Sequence, residues 1–174
     1  TYTRMESSAA SDVYKRQTGA SADDGTGAIQ IAAFEAGTLI ENAVGGDGND
    51  ILTGDAGDNT LAGMRGSDVI DGGGGADLLF GHFGDDLLSG GLGADVFYFE
   101  IGHGDDVVLD FNQSEFDMVS LSGFAESSFS DLSFGISGSD QVLSFASGDS
   151  LTFAGAAETV FTADSFIFDV TMVA

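Results

Sequence analysis

The chain has no cysteine, no proline and no tryptophan among its 174 residues. Without cysteine it has neither a disulfide nor a thiol nucleophile, so neither stabilises it or does its chemistry. Only four residues are basic, against 29 acids, for a formal charge of −25. A chain of that sign repels nucleic acid and acidic surfaces, and it resists compaction on its own. No apolar run reaches 18 residues, so no segment reads as a membrane span. No cleavable leader is visible at the N-terminus. There are two histidines, His82 and His103, and neither is followed by Glu, which excludes an HExxH zinc site. A Gly-x-Ser-x-Gly elbow is absent. The glycine-rich stretches lack the Lys-Ser/Thr ending of a phosphate loop and carry acids where a phosphate tolerates none. The residues therefore read as non-catalytic.

What the chain does have is six consecutive nine-residue blocks from Gly45 to Tyr98: GGDGNDILT, GDAGDNTLA, GMRGSDVID, GGGGADLLF, GHFGDDLLS and GGLGADVFY. Glycine holds positions 1 and 4 throughout. Position 6 is Asp50, Asn59, Asp68, Asp77, Asp86 and Asp95, and position 8 is Leu52, Leu61, Ile70, Leu79, Leu88 and Phe97. Each block divides into a six-residue turn and a three-residue strand, with position 8 pointing inward by period-2 alternation. Glycine lets the turn curl with its carbonyls facing the bend, and position 6 adds a carboxylate. Calcium takes 6–8 oxygen ligands of this hard kind. One turn supplies too few, so a stacked neighbour must complete each shell. The candidate ligands are Gly46, Gly48, Asp50, Gly57, Asn59, Gly66, Asp68, Gly75, Asp77, Gly84, Asp86, Gly93 and Asp95. The neutral amide of Asn59 weakens its site, and Met64, Arg65, His82 and Phe83 decorate loosely specified turn positions.

Two blocks per coil put strands on alternate faces. The turns from Gly45, Gly63 and Gly81 then form one edge, and those from Gly54, Gly72 and Gly90 the other, with about four complete calcium gaps between stacked turns. The segment FYFEIGHGDDVVLDF carries an off-phase copy, with Gly102, Gly104 and Asp106 ahead of Val107–Leu109. Its two-residue shift is expected to end the regular stack, and Asp106 and Asp110 are candidates for a terminal calcium. Past Asn112 the glycine period disappears. Stretches 116–124, 132–136, 141–146 and 150–155 read as strands of an antiparallel meander. A capped turn at Thr162 leads to a last strand.

The repeat consensus resembles that of the RTX, or hemolysin-type, calcium-binding family. The flanks GTLIENAVGGDGNDILTG, GADVFYF and DDVVLDFNQSEFDMVSLSGF resemble the C-terminal domain of serralysin-type secreted metalloproteases. The resemblance covers roughly residues 28–174. It implies an all-β architecture, a parallel β-roll followed by an antiparallel β-sandwich-like C-terminal cap. It further implies a secreted, extracellular and monomeric product, with type I secretion machinery as partner and an export signal in FIFDVTMVA. The family's zinc signature is missing here. A large RTX adhesin, or another secreted RTX protein, is the alternative parent.

Residues 1–17 stand apart. They hold Arg4, Lys15 and Arg16, and SSAASDVYKRQ resembles the translation of a transposon-derived sequencing adapter, so the segment is read as non-native. The expected organisation is then 18–44 as lead-in and entry strands, 45–111 as the roll with its degenerate last repeat, and 112–174 as the cap. In isothermal titration, Asp77→Ala is expected to weaken calcium binding more than Asp47→Ala. Asp77 is the position 6 acid of a central block, whereas Asp47 occupies position 3, where only the backbone carbonyl is needed. Equal losses would count against the assigned phase.

Overall fold

A computed structural model describes the backbone of residues 13–15, 30–31 and 42–169 and the side chains of 42–168. The strands in chain order are β1 (Val13–Lys15), β2 (Gln30–Ile31), β3 (Asn42–Val44), β4 (Ile51–Thr53), β5 (Thr60–Arg65), β6 (Val69–Asp71), β7 (Leu78–Phe83), β8 (Leu87–Ser89), β9 (Val96–Glu100), β10 (Asp105–Val108), β11 (Met118–Ser122), β12 (Ser133–Ser137), β13 (Asp140–Ser144), β14 (Ser150–Phe153) and β15 (Phe166–Asp169). They fall into two sheets. One runs β1-β3-β5-β7-β9-β11-β15, the other β12-β13-β14-β10-β8-β6-β4-β2. Through the repeats the chain alternates between the sheets, so each coil uses two blocks. This is the parallel β-roll expected from the period.

The register follows from position 8. Leu61 pairs with Leu79 and Leu79 with Phe97 in one sheet, while Leu52 pairs with Ile70 and Ile70 with Leu88 in the other. All six are fully buried. β4, β6 and β8 have three residues with one inward side chain each, whereas the expected three-residue strand is exceeded in the other sheet, where β5 and β7 run to six residues. A large apolar residue at position 8 is what holds the two sheets together. Outward neighbours such as Ile51 and Val69 remain exposed.

The two-residue shift after Phe97 does not end the stack. Beyond it, Val108 still pairs with Leu88 and Val119 with Phe97. The inserted Phe99 and Glu100 prolong β9, where they pair with Leu121 and Ser122. An even insertion preserves the alternation of faces, so the inward column continues through Val108 and Val119. It then runs on to Phe153 and Phe166.

The C-terminal strands extend the roll directly. β12, β13 and β14 form the antiparallel meander, and β14 joins β10 in parallel, so the meander is the continuation of one sheet. β15 continues the other by pairing in parallel with β11. Thr162 precedes a 3-10 turn (Ala163–Ser165) as expected, but its side chain makes no capping hydrogen bond. Phenylalanines close this end. Phe161 lies 4.6 Å from Phe153, 5.3 Å from Phe134 and 5.9 Å from Phe166 between ring centroids. Such spacings are favourable for offset or edge-on aromatic packing.

At the other end β1 pairs in parallel with β3, and β2 with β4. β1 falls within the segment read as non-native. The other residues of 1–41, and 170–174 at the end of the candidate export signal, lie outside the described residues.

Truncating one inward residue should open a void that the flanking strands cannot fill. Leu79→Ala is expected to cost about 2–5 kcal/mol in calcium-saturated denaturant unfolding. Leu92→Ala, at a site that is 71% exposed, is expected to change stability by no more than about 0.5 kcal/mol. Similar losses at the two sites would contradict the inward assignment of position 8.

Candidate metal centre

The turns are where the repeat's polar residues meet. Position 6 precedes the strand and faces inward, so its side chain is buried beneath the bend: Asp50, Asn59, Asp68, Asp77, Asp86 and Asp95 are all 3% exposed or less. A buried carboxylate needs hydrogen bonds or a cation. One oxygen of Asp68, Asp77, Asp86 and Asp95 is satisfied by the coil before it. Asp68 Oδ1 accepts the backbone N–H of Asp50 at 2.7 Å, and Asp86 Oδ1 that of Asp68 at 2.8 Å. On the opposite edge Asp77 Oδ1 accepts from Asn59 at 2.7 Å, and Asp95 Oδ1 from Asp77 at 2.9 Å. Two rows of acids therefore climb the roll, Asp50–Asp68–Asp86 on one edge and Asn59–Asp77–Asp95 on the other.

The glycines make room for these rows. A Cβ on Gly81 would strike Asp86 Oδ2, so position 1 is the space that the acid of its own block fills. At position 4 the constraint is the neighbouring coil. Gly84 has φ +132°, and a Cβ there would strike the carbonyl oxygen of Gly66. Gly48, Gly66 and Gly84 thus stack with backbone against backbone on one edge, and Gly57, Gly75 and Gly93 on the other. Position 2 is more demanding than it reads in sequence. Gly73 and Gly91 have positive φ there, and Met64 and His82 adopt it too, at φ 87° and 69°. Both side chains sit in a backbone region that costs roughly 1–2 kcal/mol for an L residue.

The second oxygens carry the functional information. Oδ2 of Asp68, Asp77, Asp86 and Asp95 is buried and has no hydrogen-bond partner. Burial pushes these carboxyls up: Asp68 to about 7, Asp77 and Asp86 to about 6, and Asp95 also upward. Desolvation is the largest cause and the backbone N–H bond opposes it; the next acid in the row adds to it for Asp68, Asp77 and Asp86, and Asp110 and Glu115 do so for Asp95. Among the described residues no three acid or imidazole side chains converge on one point. A cation at the rows must therefore draw on backbone carbonyls as well as carboxylates. Hard oxygen donors, negative charge and orphaned carboxylate oxygens together fit calcium.

The remaining predicted residues behave differently. Gly46 donates its N–H to Asp50 Oδ2 at 2.6 Å. Asp110 is saturated by protein donors, accepting from Ser89 Oγ at 2.6 Å and from the N–H groups of Gly90 and Gly91 at 3.0 Å. Asp106 extends the first row by accepting from Asp86 N–H at 2.8 Å. Sequence reading missed Asp117, which extends the second row by accepting from Asp95 N–H at 3.0 Å. Its signal was present: Asp117 stands two residues before the inward Val119, the spacing of positions 6 and 8 without the glycines.

This geometry has known counterparts. Four copies of the RTX calcium-binding nonapeptide repeat match residues 36–70, 44–79, 63–97 and 71–105. Among solved structures, the AlgE6R3 subunit of the Azotobacter vinelandii mannuronan C5-epimerase is 30% identical, with a TM-score of 0.61 over 81% of this chain and 90% of that one. The AlgE6R2 subunit of that epimerase is 27% identical, with a TM-score of 0.53 over 75% of this chain and 92% of that one. The extracellular lipase LipA from Serratia marcescens is 25% identical, with a TM-score of 0.59 over 72% of this chain. The chain spans only 20% of the lipase's length. No curated protein matches in sequence. Fold and rows define a calcium-binding β-roll module. The chain belongs to the family of RTX calcium-binding repeat proteins, and calcium is its cofactor.

The raised carboxyls make the metal-free roll acid-tolerant. A group whose folded pKa exceeds its unfolded value, near 3.9 for Asp, contributes stability that is complete below the unfolded value. That contribution is lost as pH rises through the folded value. For Asp68, Asp77 and Asp86 the loss falls between about pH 4 and 7. In EDTA, β-sheet circular dichroism is therefore expected to increase as pH drops from 8 to 5, protons neutralising the rows in place of calcium. A signal that falls on acidification would contradict buried, uncompensated carboxylates.

Proposed function

We propose that the chain is the non-catalytic, calcium-folded C-terminal part of a secreted RTX protein, and that its parent is a serralysin-like metalloprotease. The observation that carries the reading is the set of four orphaned oxygens on Asp68, Asp77, Asp86 and Asp95, two on each edge. In this reading the ions lie between stacked turns. They are held by those carboxylates, by Asp50 and Asn59, and by turn carbonyls that include Gly46, Gly48, Gly57, Gly66, Gly75, Gly84 and Gly93. About four ions would remove about eight negative charges from a chain of charge −25, which makes metal binding part of the folding free energy.

The same linkage suits export. In a calcium-poor cytosol the acid rows repel and the chain stays unfolded, ready to be threaded through a type I exporter. Outside, calcium closes the turns. The export signal would lie in the terminal FIFDVTMVA. The serralysin reading is supported by the entry sequence IENAVGG, and no zinc signature occurs within these 174 residues. The likeness to a lipase and to epimerase subunits favours a second reading, in which the module belongs to some other secreted RTX protein.

Circular dichroism during calcium titration tests the core of the proposal. Residues 18–174 are expected to be largely unfolded in EDTA at pH 7.5 and to fold cooperatively at roughly 0.1–1 mM calcium, as extracellular modules do. A far-ultraviolet spectrum that EDTA leaves unchanged would exclude calcium-driven folding.

A further inference from the structure

The acid rows must stop before the cap, and the first row stops on a histidine. Asp106 belongs to the row Asp50–Asp68–Asp86, because its Oδ1 accepts the Asp86 N–H at 2.8 Å and the residue is only 1% exposed. Its second oxygen is not orphaned. It lies 2.7 Å from Nδ1 of His103, three residues earlier in the same turn. The imidazole is completely buried. Phe99, Phe124 and Phe145 surround it, with ring centroids 5.1, 5.7 and 5.7 Å away. Nε2 has no hydrogen-bond partner among the described residues. A proton there would be buried without an acceptor, so the ring proton belongs on Nδ1, where it is donated to the carboxylate.

The next strand removes the other half of a metal site. β14 pairs with β10 so that Leu151, not an acid, stands opposite Asp106. Leu151 is fully buried. No further carboxylate continues the row, and the oxygen that a metal would claim is already taken by an N–H.

From this geometry we infer that His103 is the built-in end-stop of the calcium row. Its Nδ1–H occupies the place at Asp106 that calcium takes at Asp68 and Asp86. Asp106 is then a structural acceptor outside the ligand set, and not the candidate terminal ligand that its place in the sequence suggests. His103 fixes where metal binding stops on that edge. The inference rests on the calcium rows proposed above, and the test separates the two.

Isothermal titration of the full chain with calcium should compare Asp106→Asn with Asp86→Asn. Asp106→Asn is expected to keep the wild-type number of ions, with affinity within about twofold, whereas Asp86→Asn loses at least about tenfold in affinity. If Asp106→Asn binds one ion fewer than wild type, the end-stop assignment is overturned while the rows stand. If Asp86→Asn binds as wild type does, the rows fail and the assignment with them. Nitrogen-15 spectra of the unaltered, calcium-saturated chain decide the matter without any variant. His103 is expected to carry its proton on Nδ1, and a bare Nδ1 would overturn the assignment even if Asp106→Asn does not fold.

Discussion

A carboxylate buried under a tight turn, with one oxygen hydrogen-bonded and the other unsatisfied, is the interaction on which this structure depends. Burial alone penalises such a group, and here it recurs at Asp68, Asp77, Asp86 and Asp95. The desolvation that raises Asp68 to about 7 is the same force that makes a cation welcome beside it. On the proposed function, folding and metal binding are one equilibrium in this chain. The apolar column at position 8 is continuous but narrow, one large residue per block. It aligns the sheets, and the charge at the turns opposes their closing.

The glycines are consequences of the same constraint. At position 1 the acid's own carboxylate takes the space of a Cβ, and at position 4 the neighbouring coil's carbonyl does. Neither glycine is there for flexibility. Substitution at either would push apart groups that must stay close for oxygens from two coils to face one ion. Met64 and His82 show the limit of tolerance, holding the positive φ at position 2 that Gly73 and Gly91 adopt.

The two ends of the acid rows are finished with protein donors. Gly46 N–H serves Asp50, the imidazole of His103 serves Asp106, and Asn112 N–H serves Asp117 at 2.8 Å. Among the described acids of the rows, only Asp68, Asp77, Asp86 and Asp95 keep a buried oxygen without a hydrogen-bond partner. Beyond the rows the two sheets continue into a plug of phenylalanines, which covers the open end of the stack with apolar surface rather than charge.

The sequence by itself determined the roll, its 18-residue coil, the inward column and the recurring acid at position 6. All of these are local and periodic, and a strict nine-residue phase admits one pairing register. Only the tertiary structure decided how the period is broken. The shift at Phe99–Glu100 reads as an end in sequence, yet an even insertion keeps the inside–outside parity and the ladder survives it. Asp106 and Asp110 stand out in sequence as acids of the off-phase copy, and only the fold shows that the groups they bond lie 19 to 21 residues away, or in a histidine side chain turned inward. Asp117 was overlooked because its turn has no glycine, although its place in the row is set by pairing with Asp95. The parallel seating of β14 on β10 joins residues about 45 apart across a meander, and no local pattern encodes a contact of that range.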